Sequence, residues 1–469
     1  MSAKQPTIAH SITVRAEYPN HVGMLSKITA EIGNLGGDIG AMVIVNSGRD
    51  QMLRDITINT RDSVHGNEIV ERVKATKGVK VLSVRDEVFS KHRQGKIEVQ
   101  SRNPIETQTD MSLVYSPGVA RVSSAIHETP DSVWSLTSKG NTVAIVTDGS
   151  AVLGLGDIGP AAALPVMEGK AQLFKELGGV DAWPIAINTK DPDEIVNTVT
   201  RIATGFGGIN LEDISAPRCF YIEEKLKEKL DIPVFHDDQH GTAVVVIAAL
   251  LNAIEIVDKS LDELKVVVTG VGAAGLATTN LMLTSGVENI LGFDRQGILH
   301  RGRDYGDNDA KRWFAESTNP GNLKGGIDEA MSGADLFIGL SAPGVITLDH
   351  VKLMNRDPIV FAMSNPDPEI WPEEVAGHVR VMATGRSDYP NQVNNALCFP
   401  GLFRGVLDTQ SSDINDEMKL AAAKAIASSV PRERLSEDYI MPSLFDKSVV
   451  IKIAEAVSDA SRKSGVSRV

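Results

Sequence analysis

Residues 264–280, LKVVVTGVGAAGLATTN, set Gly270, Gly272 and Gly275 in a GxGxxG spacing directly after a β-branched run and at the head of a helical pattern. In a strand-turn-helix unit such glycines let the backbone approach a pyrophosphate, and the helix N-terminus supplies N–H donors to it. The motif alone also fits a purely structural turn. Here the next apolar run, NILGFD, ends in Asp294, 24 residues after Gly270, near the spacing of an acid that grips an adenosine ribose. A carboxylate there favours NAD, because the 2′-phosphate of NADP would face it; Arg295 beside it can offset part of that repulsion, so NADP stays open.

A chain of 469 residues suggests about three domains. Strand-like NTVAIVTDG, DAWPIAINT and IPVFHDD are separated by helical LPVMEGKAQLFKEL and PRCFYIEEKLKEKL. This alternation implies parallel sheets with crossover helices. The first 90 residues differ. SITVRAEYP, DIGAMVIVN, DITINT and VKVLSVRD read as strands, with helices around Leu25–Leu35 and over HGNEIVERVKAT. The order β-α-β-β-α-β is the ferredoxin-like plan. We expect an α/β protein with this domain at 1–90, a linker at 91–104, a parallel α/β domain at 105–240 and a Rossmann-type doubly wound domain at 241–405. Helices in 406–469 pack back on the earlier domains.

With 42% hydrophobic and 23% charged residues the composition is that of an ordinary folded protein. The net charge of −14 argues against a nucleic-acid or anionic-membrane surface. The first 90 residues carry 11 basic and 10 acidic side chains, so the acidic excess lies beyond them. The longest wholly apolar run, Ala243–Leu251, is nine residues, too short to span a bilayer, and the N-terminus lacks a signal-peptide pattern. Cys219 and Cys398 offer neither a disulfide framework nor a zinc spacing. These features predict a cytoplasmic protein.

Two acid pairs stand out: Glu212-Asp213 in NLEDI and Asp237-Asp238 in FHDDQHGT. Neighbouring side chains on a strand point to opposite faces, so each pair can serve one centre only through a turn at the strand end. Oxygen donors suit Mg²⁺ or Mn²⁺ rather than Zn²⁺; solvated acids or helix caps are the alternative. His236 and His240 flank the second pair but have no third nitrogen or sulfur partner nearby for zinc. Lys170 follows Gly169 inside a helical pattern, where glycine costs roughly 1 kcal/mol relative to alanine and so hints at a close approach. Otherwise Lys170 is a surface lysine, and Tyr115, before a Pro-Gly turn, a packing residue.

Seven stretches nevertheless resemble malic enzymes in sequence order: YSPGVA (Tyr115–Ala120), VTDGSAVLGLGDIGP (Val146–Pro160), MEGKAQLFK (Met167–Lys175), INLEDI (Ile209–Ile214), FHDDQHGTA (Phe235–Ala243), MSNPDPEI (Met363–Ile370) and ATGRSDYPNQVNNALCFPG (Ala383–Gly401). They look like the compact bacterial type. The resemblance implies oxidation of L-malate with NAD(P) and decarboxylation to pyruvate and CO₂. It assigns Lys170 as general base at the C2 hydroxyl, which needs burial, a nearby cation or both to lower its pKa. It makes Asp237 the acid that orients the lysine, Glu212, Asp213 and Asp238 the ligands of Mg²⁺ or Mn²⁺, and Tyr115 the proton donor to C3. Asn365 and Asn395 then contact substrate, and Asn365 the nicotinamide ribose as well. One departure stands: larger malic enzymes have an arginine just before GLGD, where this chain has Ser150 and Ala151.

The first turn, NHVGML, resembles the ligand-binding turn of ACT domains, with Asn20 and Gly23 beside the helix start. It implies either a sensor of small metabolites or a dimerising appendage. A homo-oligomer is expected. Two rival readings remain: a related hydroxy-acid or amino-acid dehydrogenase that does not decarboxylate, and a metabolite-sensing protein with a degenerate enzyme half.

Overall fold

The computed structural model describes residues 5–152, 154–306 and 308–469. The chain forms two compact units, one ending at Val99 and one spanning Gln100–Val469.

In the first unit β1 (Thr7–Pro19), β2 (Asp38–Ser47), β3 (Gln51–Thr60) and β4 (Lys80–Asp86) form an antiparallel sheet in the order β2-β3-β1-β4. Helices Met24–Asn34 and Ser63–Ala75 complete a β-α-β-β-α-β chain path. Val14 and Ala16 on β1 and Ile56 and Ile58 on β3 alternate inward against Ile28, Ile32, Ile69 and Val73, all buried. The two helix pairs are four residues apart and so share a face. Beyond β4 a short helix, Glu87–His92, runs across the expected domain boundary at residue 90; Asp86 starts it by accepting from the Phe89 N–H at 3.0 Å.

Among the described residues the second unit contains two sheets. The first joins β5 (Thr142–Thr147), β6 (Asp181–Ala186), β7 (Gly208–Leu211) and β8 (Val234–His236) in the order β6-β5-β7-β8, every pair parallel. The second joins β9 (Lys265–Thr269), β10 (Asn289–Asp294), β11 (Gly297–Ile298), β12 (Leu336–Gly339), β13 (Ile359–Ala362) and β14 (Val381–Thr384) in the order β11-β10-β9-β12-β13-β14. Only the β10–β11 pair is antiparallel. The side on which successive strands are added switches between β9 and β12, and ligands of such sheets sit beyond the carboxyl strand ends at that point.

The final helices, Phe399–Asp408, Asp416–Ala427 and Lys447–Lys463, pack on the helix Pro160–Gly178, through Phe174 against Phe399 and Phe403, and on the helix Thr242–Val257. Among the described residues one helical stretch, Asp237–Val257, is long and apolar enough to cross a membrane. Ala243 to Leu250 are buried within the unit, as in a core helix.

Candidate active site

Two strand ends of the first sheet supply the acids. Glu212 and Asp213 follow β7, and Asp237 and Asp238 follow β8. The turn that the sequence demands at β8 is a single π-helical turn, Asp237–Gly241, leading into the helix Thr242–Val257, a form that recurs at functional sites. It directs the two adjacent acids differently. Asp237 meets Lys170 Nζ at 2.5 Å, while Asp238 accepts from the Asp213 N–H at 2.9 Å. Asp213 itself adopts φ 53°, an uncommon conformation for a residue with a side chain.

Lys170 comes from the helix Pro160–Gly178 and is only 7% exposed. Its ammonium lies between Glu212 and Asp237, above the Phe399 ring at 4.7 Å from the centroid. Asn395 Nδ2 donates to Asp237 at 2.6 Å, and Asn210 Nδ2 to Glu212 at 3.1 Å. Burial pushes the lysine pKa down as expected, but the Asp237, Glu212 and Asp238 carboxylates outweigh it and hold the ammonium charged above the usual lysine range. Burial pushes Glu212 up to about 7, Asp213 to about 8 and Asp237 to about 7, with neighbouring acids adding to the rise.

Four acids with one lysine therefore leave an excess of negative charge inside the protein. Ligand oxygens of Glu212, Asp213 and Asp238 lie within 4.8 Å of one another. Asp213 Oδ2 is buried without a hydrogen-bond partner. An all-oxygen set with an unpaired buried carboxylate oxygen fits a hard divalent cation. The histidines do not join it: His240 pairs with Glu223 at 2.8 Å, and burial holds His236 down at about 4.

The second sheet brings the glycine turn. Gly270 takes φ 85°, and a Cβ there would strike Leu340 O at 2.2 Å. Gly275 packs against Gly270 O, whereas Gly272 faces open space. The three thus divide the work of turn, helix packing and ligand approach. Gly270 and Gly272 border a cavity of about 910 Å³ also lined by Asp294, Arg303, Tyr305 and Ser341. Asp294 carries two ion pairs, with Arg303 at 2.6 Å and Lys311 at 2.6 Å. These cations, not the adjacent Arg295, balance it.

The two sheets meet around this region. The helix Ala273–Thr284 contacts the Asp237–Gly241 turn, and Pro366, after Asn365, lies 3.6 Å from where a Cβ would stand on Gly154. Asn365 and Asn395 are thus both near the cleft, although the Asn395 amide is already bonded to Asp237. Tyr115 stands apart. It caps the helix Gln108–Val114 and is 66% exposed, and no hydrogen bond or ring contact among the described residues joins it to Lys170. In the first unit Asn20 Nδ2 is tied to Gly48 O at 2.9 Å, while Gly23, with φ 91°, leaves open space at the helix start.

Several residues that complete the site escaped the motif reading. Asn210 and Phe399 sit inside matched stretches but carry no spacing signal. Arg218 reaches over the loop after β5, donating to Ser150 and Ser215, both at 2.9 Å, and pairing with buried Asp148 at 3.0 Å. It places a guanidinium beside the very loop that lacks the expected arginine.

Known families decide the identity. The malic enzyme N-terminal domain matches residues 94–227, and the malic enzyme NAD-binding domain matches residues 239–462. The chain belongs to the malic enzyme family. It is 56% identical over 460 residues to an NAD-dependent malic enzyme of Geobacillus stearothermophilus, covering 98% of this chain and 96% of that one. It is 52% identical over 392 residues to a bifunctional malic/malolactic enzyme of Bacillus subtilis, covering 83% and 95%. A crystal structure of a malic enzyme from Pyrococcus horikoshii superposes with a TM-score of 0.77 at 48% identity over 80% of this chain and 88% of that one. Malic enzyme membership fits an acid cluster and a dinucleotide turn in one unit.

Proposed function

We propose that this malic enzyme oxidises L-malate with NAD and decarboxylates the product, giving pyruvate, CO₂ and NADH. The observation that carries the reading is the buried Lys170 ammonium shared by Glu212 and Asp237 beside three acids suited to a cation. Malate is a dianion, and a site built from four acids accepts it only when a cation reverses the local potential. When bound by Glu212, Asp213 and Asp238, Mg²⁺ or Mn²⁺ would supply Lewis acidity at the C2 oxygen and at the enolate left by loss of CO₂. NAD, held by Gly270, Gly272, Gly275 and Asp294, would supply the hydride acceptor.

The protein's own groups do the rest. Lys170 takes the proton of the C2 hydroxyl once the acids around it no longer hold its charge, and Asp237 with Asn395 fixes where its nitrogen points. Asn365 and Asn395 donate to substrate or ribose oxygens without adding charge. Tyr115 is assigned proton delivery to C3 on its sequence motif, its phenol O–H being a group that can donate. Residues 105–240 with 406–469 form the substrate part, and 241–405 the dinucleotide part.

The first 90 residues act as an ACT-like module that takes a small metabolite at the Asn20–Gly23 turn, and the enzyme works as a cytoplasmic homo-oligomer. The test is initial rates of malate-dependent NADH formation and CO₂ release, with NAD or NADP, with and without EDTA. NADH without CO₂ would return the chain to the simple dehydrogenases. Repeating the rates with a panel of amino acids and central metabolites, on the full chain and on one lacking residues 1–90, tests the module. An effector response that survives the deletion would place it elsewhere.

A further inference from the structure

Against the π-helical turn lies another buried carboxylate, one that the mechanism does not use. Glu223 projects from the helix Arg218–Lys229 and is 6% exposed. One of its oxygens accepts from Gln239 Nε2 at 3.1 Å; the other accepts from His240 Nε2 at 2.8 Å and pairs with Lys227 at 2.9 Å. Gln239 and His240 are the two residues that directly follow Asp237 and Asp238.

The direction of the histidine bond is fixed by its neighbours. Lys419 Nζ, buried on the helix Asp416–Ala427, lies 3.4 Å from His240 Nδ1. An ammonium only donates, so Nδ1 accepts and Nε2–H donates to Glu223. The Phe235 ring flanks His240 at 5.5 Å between centroids. Both oxygens of one carboxylate are thereby committed to consecutive side chains of a single turn. Packing alone would not place a charged side chain there, because an apolar residue fills such a space without the desolvation cost.

We propose that Glu223 is a positioning residue of the candidate metal centre: by gripping Gln239 and His240 it sets the turn that aims Asp238 toward Asp213 and Asp237 toward Lys170. This rests on the reading of Glu212, Asp213 and Asp238 as cation ligands. Groups that orient ligands in this way shift metal affinity about 10- to 100-fold when removed. Glu223→Gln keeps the shape but turns one accepting oxygen into a donor, so one of the two grips is lost.

The experiment uses the full-length protein, stripped with EDTA, and Mn²⁺ as probe, followed by the electron paramagnetic resonance signal of free Mn²⁺. NAD affinity is measured in parallel. Wild type is expected to bind one Mn²⁺ per chain. Glu223→Gln is expected to weaken Mn²⁺ binding about tenfold or more, with NAD affinity within about twofold of wild type. Gln239→Met, which leaves Glu223 paired with His240 and Lys227, is expected to weaken Mn²⁺ severalfold and decides the matter should Glu223→Gln fold poorly. Wild-type Mn²⁺ affinity in a folded Glu223→Gln, or in Gln239→Met where that variant decides, overturns the positioning role. Equal losses of Mn²⁺ and NAD affinity would overturn it too, since a general structural defect produces both. Absence of Mn²⁺ binding by wild type overturns the metal reading itself, so the two failures are told apart.

Discussion

A single oxygen of Asp237 holds both Lys170, at 2.5 Å, and Asn395, at 2.6 Å. The lysine comes from a helix of the first sheet and the asparagine from the approach to the C-terminal helices, so one carboxylate ties distant stretches to the same point. With two donors on one oxygen, the lysine nitrogen has little freedom to swing. An ammonium so fixed is prepared to exchange a proton at one position.

Lys170→Ala is expected to lower kcat for malate oxidation by about 10²- to 10⁴-fold, the range for a lost general base. NAD affinity should stay within about twofold, because the glycine turn belongs to the other sheet. Stopped-flow NADH formation and NAD titration check both, and turnover near wild type would remove Lys170 from the chemistry.

The cation reading makes a stability prediction. Carboxylates crowded in a buried cluster carry like charges and repel one another, and a ligand that binds only the folded state stabilises it by about 2.7 kcal/mol at 100 times its Kd. The EDTA-treated protein should gain several degrees in Tm on adding Mg²⁺ or Mn²⁺, and Asp213→Asn should lose most of that gain. Ca²⁺-free calorimetry of both proteins measures it; equal gains in the two would mean that the ion binds elsewhere.

Much of this was legible in the sequence, for physical reasons. Ile28 with Ile32, Ile69 with Val73 and the alternation in DITINT expose the helix and strand periods of the first unit directly. Strand β5 is buried along most of its length, so its apolar run stands out as well. The glycine turn is legible because Gly270 and Gly275 each answer a steric demand, while Gly272 leaves open space at the helix start. The partners of Asp294 were not, since Arg303 and Lys311 lie 9 and 17 residues on, brought in by a loop and a helix that no spacing rule fixes. The helix Glu87–His92 was hidden because six residues are too few to show a helical period and only the Asp86 cap starts it. Tyr115 shows the converse limit: a motif can name a residue without stating what covers it.

Cofactor choice turns on Asp294. Although burial raises its pKa, Arg303 and Lys311 overcome this and hold it below the usual carboxylate range. It should therefore stay ionised across the neutral range, and preference for NAD over NADP should be flat from about pH 7 to 9, above the second phosphate pKa near 6. Asp294→Asn removes the repelling charge and releases both cations toward a 2′-phosphate. The ratio of kcat/KM for NADP to that for NAD should rise by about 10- to 100-fold, each tenfold being about 1.4 kcal/mol. An unchanged ratio would show that the 2′ position is read by other groups.

Gly241 closes the π-helical turn, and it does so in contact with the site. A Cβ at this position would lie 1.9 Å from Asp237 Oδ1 and 3.1 Å from Asn395 Cβ. Neither neighbour can retreat cheaply, because Asp237 is held by Lys170 and Asn395. Gly241→Ala must then push Asp237 away from the lysine. Displacements of about 1 Å cost roughly 10²-fold in rate, whereas overpacking costs about 1 to 3 kcal/mol of stability. The variant is expected to fold with a lowered Tm, to bind NAD nearly as wild type, and to lose about 10²-fold in kcat with malate. Steady-state kinetics beside thermal unfolding separate the two effects: a drop in Tm with kcat intact would show that Asp237 has room to move and does not fix the lysine.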